Sequence, residues 1–277
     1  MLSSQDVDLA MLKGVNYPVG PLCWADGFGN QNVVTVLDNL ARANPVRQQI
    51  HEDGYAIITL DRPERRNALN LEIKQLLAQA VETLAADSRV HALVITGAGG
   101  YFVAGTDIAE MRDMTPTQHI ELKTGRLFEV VDYCKKPVIA VIEGYALGGG
   151  CELALACDII IASRTARLGQ PEINVGIMPG AGGTQRLLRT IGKYRTALLT
   201  LTGDPLTAEQ AFSAGMISEL CEEGAALERA CSIAARIALQ PPLAVLAIKE
   251  LLATGEDAPL HSMLKRERSA FVQLFDS

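Results

Sequence analysis

The sequence predicts an α/β domain built on a parallel sheet, with a helical C-terminal region. Three observations predict it. Apolar runs of strand length recur at VHALVITG (90–97), PVIAVIEGYAL (137–147) and DIIIAS (158–163). Between them lie stretches with apolar residues at helical spacing, as in LEIKQLLAQAVETLAAD (71–87). Strand, helix, strand in that order is the pattern of parallel sheets, whose strands are covered on both faces and read as near-continuous apolar runs. Third, glycines cluster just after these strands, at Gly97, Gly99 and Gly100 and again at Gly148, Gly149 and Gly150. Ligand chemistry in such sheets gathers at the C-terminal edge of the strands.

The elements follow in order. The first 45 residues stand apart: GVNYPVGPLCWADGFG is dense in Gly, Pro and aromatics, VVTVLDNLARA (33–43) reads as a short amphipathic helix, and Asn44-Pro45 marks a boundary. VRQQIHEDGYAIITLDRP (46–63) reads as two strands joined at Asp53-Gly54. Asn70 is placed to cap the helix that begins at Leu71. After VHALVITG a helical stretch spans 116–134, and PVIAVIEGYAL is one buried strand. The three glycines then lead into CELALAC (151–157) as a short helix, and DIIIAS is the next strand. From about residue 185 the chain is mostly helical. Thr207 and Gln210 are spaced as a capping box, and Gly215 suits the end of that helix.

Composition excludes several functions. The net charge of −7 argues against a general binder of nucleic acid or anionic membrane. No apolar run approaches the roughly 20 residues of a membrane-spanning helix, and MLSSQDVDLAMLKG lacks the basic flank and apolar stretch of a secretory signal. The six cysteines form no C-x-x-C pair and no Cys/His cluster with zinc spacing, so no metal is expected and the thiols read as reduced, in a cytoplasmic setting. The four histidines are scattered.

Two glycine loops carry chemical promise: AGTD (104–107) and GGGCE (148–152). Glycines between a strand and a helix start allow close backbone approach, and the helix's first N–H groups favour negative charge. Such a loop can hold a phosphate or a developing oxyanion, or it can be a tight packing turn. It is not a dinucleotide fingerprint, because Phe102 stands where the third glycine of GxGxxG would be, and no P-loop or GxSxG elbow occurs. Glu152 lies in the first turn of an otherwise apolar helix, and Glu172 lies twenty positions later, after DIIIAS and ARLGQP. A right-handed crossover returns the chain to the same sheet edge, so both acids reach it. Glu152 then either complements the helix dipole or works as a site acid; Glu172 is either a solvated loop acid or its partner. Two convergent carboxylates suit proton transfer to and from one water.

RPERRNALN (62–70), YFVAGTDIAEM (101–111), KKPVIAVIEGYALGGGCELALACDIIIAS (135–163) and LGQPEINVGIMPGAGGTQRL (168–187) together resemble the crotonase superfamily, and within it most closely the enoyl-CoA hydratases. The resemblance covers 46–277. It implies a crotonase-like α/β fold: a ββα spiral core with the active site over 46–200 and a helical C-terminal oligomerisation region over 201–277. It implies a homotrimer or a dimer of trimers. It implies an oxyanion hole from the backbone N–H groups of Thr106 and Gly149, with Glu152 and Glu172 as acid/base carboxylates. Arg66, Ala68, Ala104, Asp107 and Ile108 fall in coenzyme A-binding segments, and Gly180 falls near the reacting water. The implied substrate is an acyl-CoA thioester, with no separate cofactor, no nucleic acid and no membrane. The implied reaction adds water across C2=C3 of a 2-enoyl-CoA to give a 3-hydroxyacyl-CoA in fatty-acid or aromatic-acid degradation. Relatives commonly carry Ala where this chain has Thr106, and the family pattern continues for roughly 20–25 residues beyond LFDS. Residues 1–45 resemble the C-terminal end of a 3-hydroxyacyl-CoA dehydrogenase without its NAD fingerprint, and read as a docking remnant. Two other activities fit the superfamily. An isomerase needs only the acid at the Glu172 position, so Glu152 favours hydration. A non-catalytic RNA- or partner-binding relative would use a Lys-rich helix, whereas TPTQHIELKTGRLFEVVDYCKK (115–136) is poor in basic residues before its end.

Overall fold

A computed structural model describes residues 44–112 and 114–276. The chain divides between Asn44 and Pro45, and the unit described here begins at Pro45. The expected helix at 33–43 and the dehydrogenase-like remnant lie outside the described residues.

Strands β1 (Val46–Ile50) and β2 (Tyr55–Leu60) form the expected hairpin, pairing antiparallel with Val46 opposite Leu60. Gly54, at φ 81°, makes the turn. Helix α1 (Leu71–Ala86) starts where the sequence puts it: Ile73 N–H donates to Asn70 Oδ1 at 2.9 Å. Then come β3 (Ala92–Gly97), α2 (Ile108–Arg112), α3 (Pro116–Glu121), α4 (Arg126–Asp132) and β4 (Val138–Ile142). Next are β5 (Tyr145–Leu147), α5 (Gly149–Leu155), β6 (Ile159–Ser163), β7 (Arg167–Gly169) and α6 (Gly183–Thr202), which breaks at Gly192. Last are β8 (Leu206–Thr207), α7 (Ala208–Ser213), β9 (Glu219–Cys221), α8 (Ala226–Ala238), α9 (Pro242–Gly255) and α10 (Leu260–Gln273). Thr207 and Gln210 close the capping box of α7, and Gly215 at φ 85° follows its end.

The main sheet runs β1-β2-β3-β4-β6-β9, parallel from β2 onward. Alternation along its strands divides the core. Leu93, Ile95, Ala140 and Ile142 face α1 and α4, while Ala92, Val94, Ile139 and Val141 face α8. Alanines at 226, 230 and 234 let α8 lie close against that second face. β9 and α8 thus complete the core, and the structure does not part the chain at residue 200.

The helical stretch at 116–134 is two helices, α3 and α4, and one strand also differs from the sequence reading. PVIAVIEGYAL is two strands, not one. Glu143 and Gly144 (φ 60°) turn the chain out of the main sheet, and β5 joins β7 and β8 in a second, three-stranded sheet. A side chain at 144 would strike the Gly100 carbonyl, so two loops meet there. The apolar run hid the turn because β4 is buried, β5 is partly so, and only Glu143 and Gly144 separate them. The second sheet is extended by bridges: Val103 pairs with Ala146, and Leu69 with Thr106. β2, β3, β4 and β6 therefore each hand the chain to a short second-layer segment and then to a helix, which is the expected ββα spiral.

Candidate active site

The second layer brings the four predicted segments side by side. Ala104 N–H donates to Arg66 O (3.0 Å), Leu69 N–H to Gly105 O (2.9 Å) and Asp107 N–H to Leu69 O (3.0 Å). Val103 N–H donates to Tyr145 O (3.0 Å), and Gly148 N–H to Gly169 O (2.9 Å). The segments that carry Arg66, Ala68, Ala104, Thr106, Asp107, Gly149 and Glu172 are thus adjacent strips of one layer. Arg66 is left-handed (φ 50°) and exposed. Asn67, buried, pins this layer by donating to Ala98 O (3.0 Å) and Tyr101 O (2.8 Å).

The bridge geometry fixes the Thr106 amide. Residues 105 and 107 use their inward groups on Leu69, so the Thr106 N–H points off that ladder. Gly149 is the first residue of α5, where N–H groups have no partner within the helix. A methyl group at 149 would lie 2.6 Å from Thr106 Oγ1 and 3.7 Å from Thr106 N, so the first turn of α5 packs directly on Thr106 and a side chain at 149 would have to displace the Thr106 hydroxyl. Gly148 has φ 51°, and Gly150 packs on the Val103 carbonyl. The triple glycine is at once a packing turn and a place with free amides, and the two sequence readings of it are compatible.

Both acids stand beside this turn. Glu152 is buried at 4 % exposure, and its Oε1 accepts from Ala181 N–H (2.6 Å) and Gly183 N–H (2.9 Å). The PGAGG turn therefore serves Glu152 through Ala181 and Gly183, while Gly180 itself is exposed. Glu172 sits in a 3₁₀ turn, Pro171–Val175, and its Oε1 lies 3.0 Å from where a Gly148 side chain would begin. Burial pushes the Glu172 carboxyl up to about 7, the nearby Glu152 charge adds to the rise, and its own backbone N–H opposes it. The side chain of Ile108 is not among the described ones.

Sequence reasoning missed Gln170. It is fully buried, and its amide, with nitrogen towards the acid, donates to Glu172 Oε1 at 3.0 Å and Oε2 at 3.2 Å. The buried Cys151 thiol, raised by burial, meets the other end of the same amide. A glutamine two residues before a glutamate carries no signal of its own; only the strand pairing of β7 turns it inward. Among the described residues no group of three or more His, Cys, Asp or Glu gathers as a metal site, and the five described cysteines are free thiols.

The profile of the family described as enoyl-CoA hydratase/isomerase matches residues 51–277. The chain belongs to that family. It is 41% identical to the 2,3-dehydroadipyl-CoA hydratase of Escherichia coli K12, over 79% of this chain and 86% of that one. It is 37% identical to a short-chain-enoyl-CoA hydratase of Clostridium acetobutylicum, over 82% and 88%. The crystal structure of an enoyl-CoA hydratase from Bacillus anthracis superposes with a TM-score of 0.80 at 34% identity, covering 84% of this chain and 92% of that chain. The family's α/β spiral is the fold described above, and the hydratase names among these relatives favour hydration over the isomerase and non-catalytic readings.

Proposed function

We propose that this chain is an enoyl-CoA hydratase, adding water across C2=C3 of a 2-enoyl-CoA to give a 3-hydroxyacyl-CoA. The observation that carries the reading is convergence: two carboxylates stand beside one turn, at which Gly149 packs against Thr106. The thioester oxygen sits between the N–H donors of Thr106 and Gly149. As the nucleophile reaches C3, negative charge develops on that oxygen, and each fixed donor aimed at it contributes roughly 3 kcal/mol to lowering the barrier. Glu152 has Oε1 held by two amides, which leaves Oε2 to orient and deprotonate the water. Glu172, whose carboxyl rises to about 7, is suited to hold a proton near neutrality and deliver it to C2.

Arg66, Ala68, Ala104, Asp107 and Ile108 lie on the strips bordering this turn and are proposed to hold coenzyme A. Large apolar side chains stand exposed on α9 and α10, among them Leu252 (69%), Leu260 (72%) and Leu264 (52%). We propose that they are covered in a homotrimer or a dimer of trimers. The test of the activity is loss of enoyl thioester absorbance on adding crotonyl-CoA. Hydration at a rate far above the uncatalysed one is expected; no loss with any 2-enoyl-CoA overturns the reading.

A further inference from the structure

Thr106 brings a hydroxyl as well as an amide to the turn beside the two acids. The three atoms nearest to where a Gly149 side chain would begin are Thr106 Oγ1 at 2.6 Å, Thr106 N at 3.7 Å and Thr106 Cβ at 3.8 Å. Of the two branches on that Cβ, the oxygen and not the methyl therefore faces the first turn of α5. Nitrogen and hydroxyl of Thr106 stand on the same side, towards Gly149.

Elsewhere in the chain threonine hydroxyls are engaged by nearby backbone. Those of Thr190, Thr196, Thr200 and Thr254 each donate to the carbonyl four positions back. Those of Thr115 and Thr207 accept from an N–H at a helix start. Thr106 Oγ1 makes neither kind of bond among the described residues. Nor is it sealed in: the one buried side-chain nitrogen or oxygen without a partner among them is His51 Nε2. Thr106 itself is half-buried, so its hydroxyl is a reachable polar group with its hydrogen bond still to make.

An oxygen that accepts from the N–H groups of Thr106 and Gly149, each at about 2.9 Å, lies in the gap between the Thr106 strip and α5. The hydroxyl lines that gap. Its single O–H rotates to meet whichever acceptor is present. A hydrogen bond to an oxygen strengthens as that oxygen gains negative charge, so a donor here acts on the transition state more than on bound substrate.

We infer that the Thr106 hydroxyl is a third donor to the thioester oxygen, a catalytic side chain added to the two backbone amides. The inference rests on the hydratase reading and deepens its oxyanion site. The hydroxyl keeps its proton throughout, so Glu152 and Glu172 retain the proton transfers.

Thr106→Val keeps the branched shape and replaces the oxygen by a methyl, whereas Thr106→Ser keeps the oxygen. On crotonyl-CoA, Thr106→Val is expected to lower kcat at least about fivefold with little change in KM. That is less than the about 10²–10³-fold of a fixed oxyanion donor, because the hydroxyl is free to rotate. Thr106→Ser is expected to recover most of the loss. The readout that packing alone would not move is the thioester C=O stretch of bound butyryl-CoA, followed by infrared difference spectroscopy on the full chain. A hydrogen bond to that oxygen lowers the stretch, so Thr106→Val is expected to raise it and Thr106→Ser to bring it back. A smaller loss of kcat, an unmoved stretch, or a Thr106→Ser that behaves like Thr106→Val overturns the inference. If Thr106→Val does not fold, Thr106→Ala takes its place and the same stretch decides. If no 2-enoyl-CoA is hydrated, the hydratase reading fails, while the stretch of bound butyryl-CoA still judges the hydroxyl.

Discussion

The two edges of the main sheet treat buried charge in opposite ways. At the N-terminal edge, where β4 and β6 begin, Lys249 of α9 is 8 % exposed and fully answered: its ammonium donates to Asp158 Oδ2 (2.6 Å) and to Lys136 O (2.9 Å). The same Asp158 oxygen also accepts from Val138 N–H at 2.7 Å. At the C-terminal edge, Glu172 is met by a neutral amide and by the charge of a second carboxylate, and among the described residues no cation pairs with it. Burial raises its carboxyl to about 7, and the Glu152 charge adds to the rise. The first arrangement holds a helix in place; the second keeps a proton exchangeable near neutral pH. Burial is common to both, and the partner decides whether a charged group serves structure or chemistry.

That contrast can be broken from either side. The largest effect is expected at the C-terminal edge: Glu152→Gln and Glu172→Gln each lower kcat about 10²–10⁴-fold with little change in KM, as loss of a general acid or base does. Steady-state kinetics on the best 2-enoyl-CoA measures this, and an unchanged kcat in either variant removes that residue from the mechanism. At the other edge, Lys249→Met strands Asp158 and is expected to reduce stability by about 3 kcal/mol, the lower end for a broken buried pair. Urea unfolding measures it; a change under about 0.5 kcal/mol would show that the pair contributes little.

Smaller effects sharpen the comparison. Gln170→Met removes the donor to both Glu172 oxygens, an interaction with a charged group of about 1.5–3 kcal/mol. It favoured the ionised form, so its loss raises the carboxyl further. The expected outcome is a lower kcat and an alkaline limb displaced to higher pH, and Glu172 titration followed by carboxyl NMR reads the same shift without turnover. An unmoved titration would assign Gln170 to packing alone. Last, the unaltered enzyme should lose kcat/KM as pH rises through about 7. Glu172 is raised above the usual carboxylate range and is the proton donor, so the active form is the protonated one. A profile flat from pH 6 to 9, two units above the rise, would reverse the roles given to the two acids.

Much of this was legible in the chain. The β1–β2 hairpin, the Asn70 cap, the Thr207 capping box and the run of parallel strands all follow from local rules that need no distant partner. Glu152 and Glu172 were legible because a charge in an apolar helix and an acid after a sheet strand break the local pattern. The split of 137–147 was not, because a buried strand in either sheet reads as the same apolar run. Nor was Gln170, whose role depends on where the chain is carried as it leaves β7.

Hydrophobic periodicity and glycine placement determine by themselves which segments are strands and helices, because those are short-range steric and burial preferences. Which amides face each other, how near two acids stand, and whether a lysine finds a counter-charge are decided by residues dozens of positions apart. They meet only when the second layer closes over the first, and that meeting turns a list of polar side chains into a site.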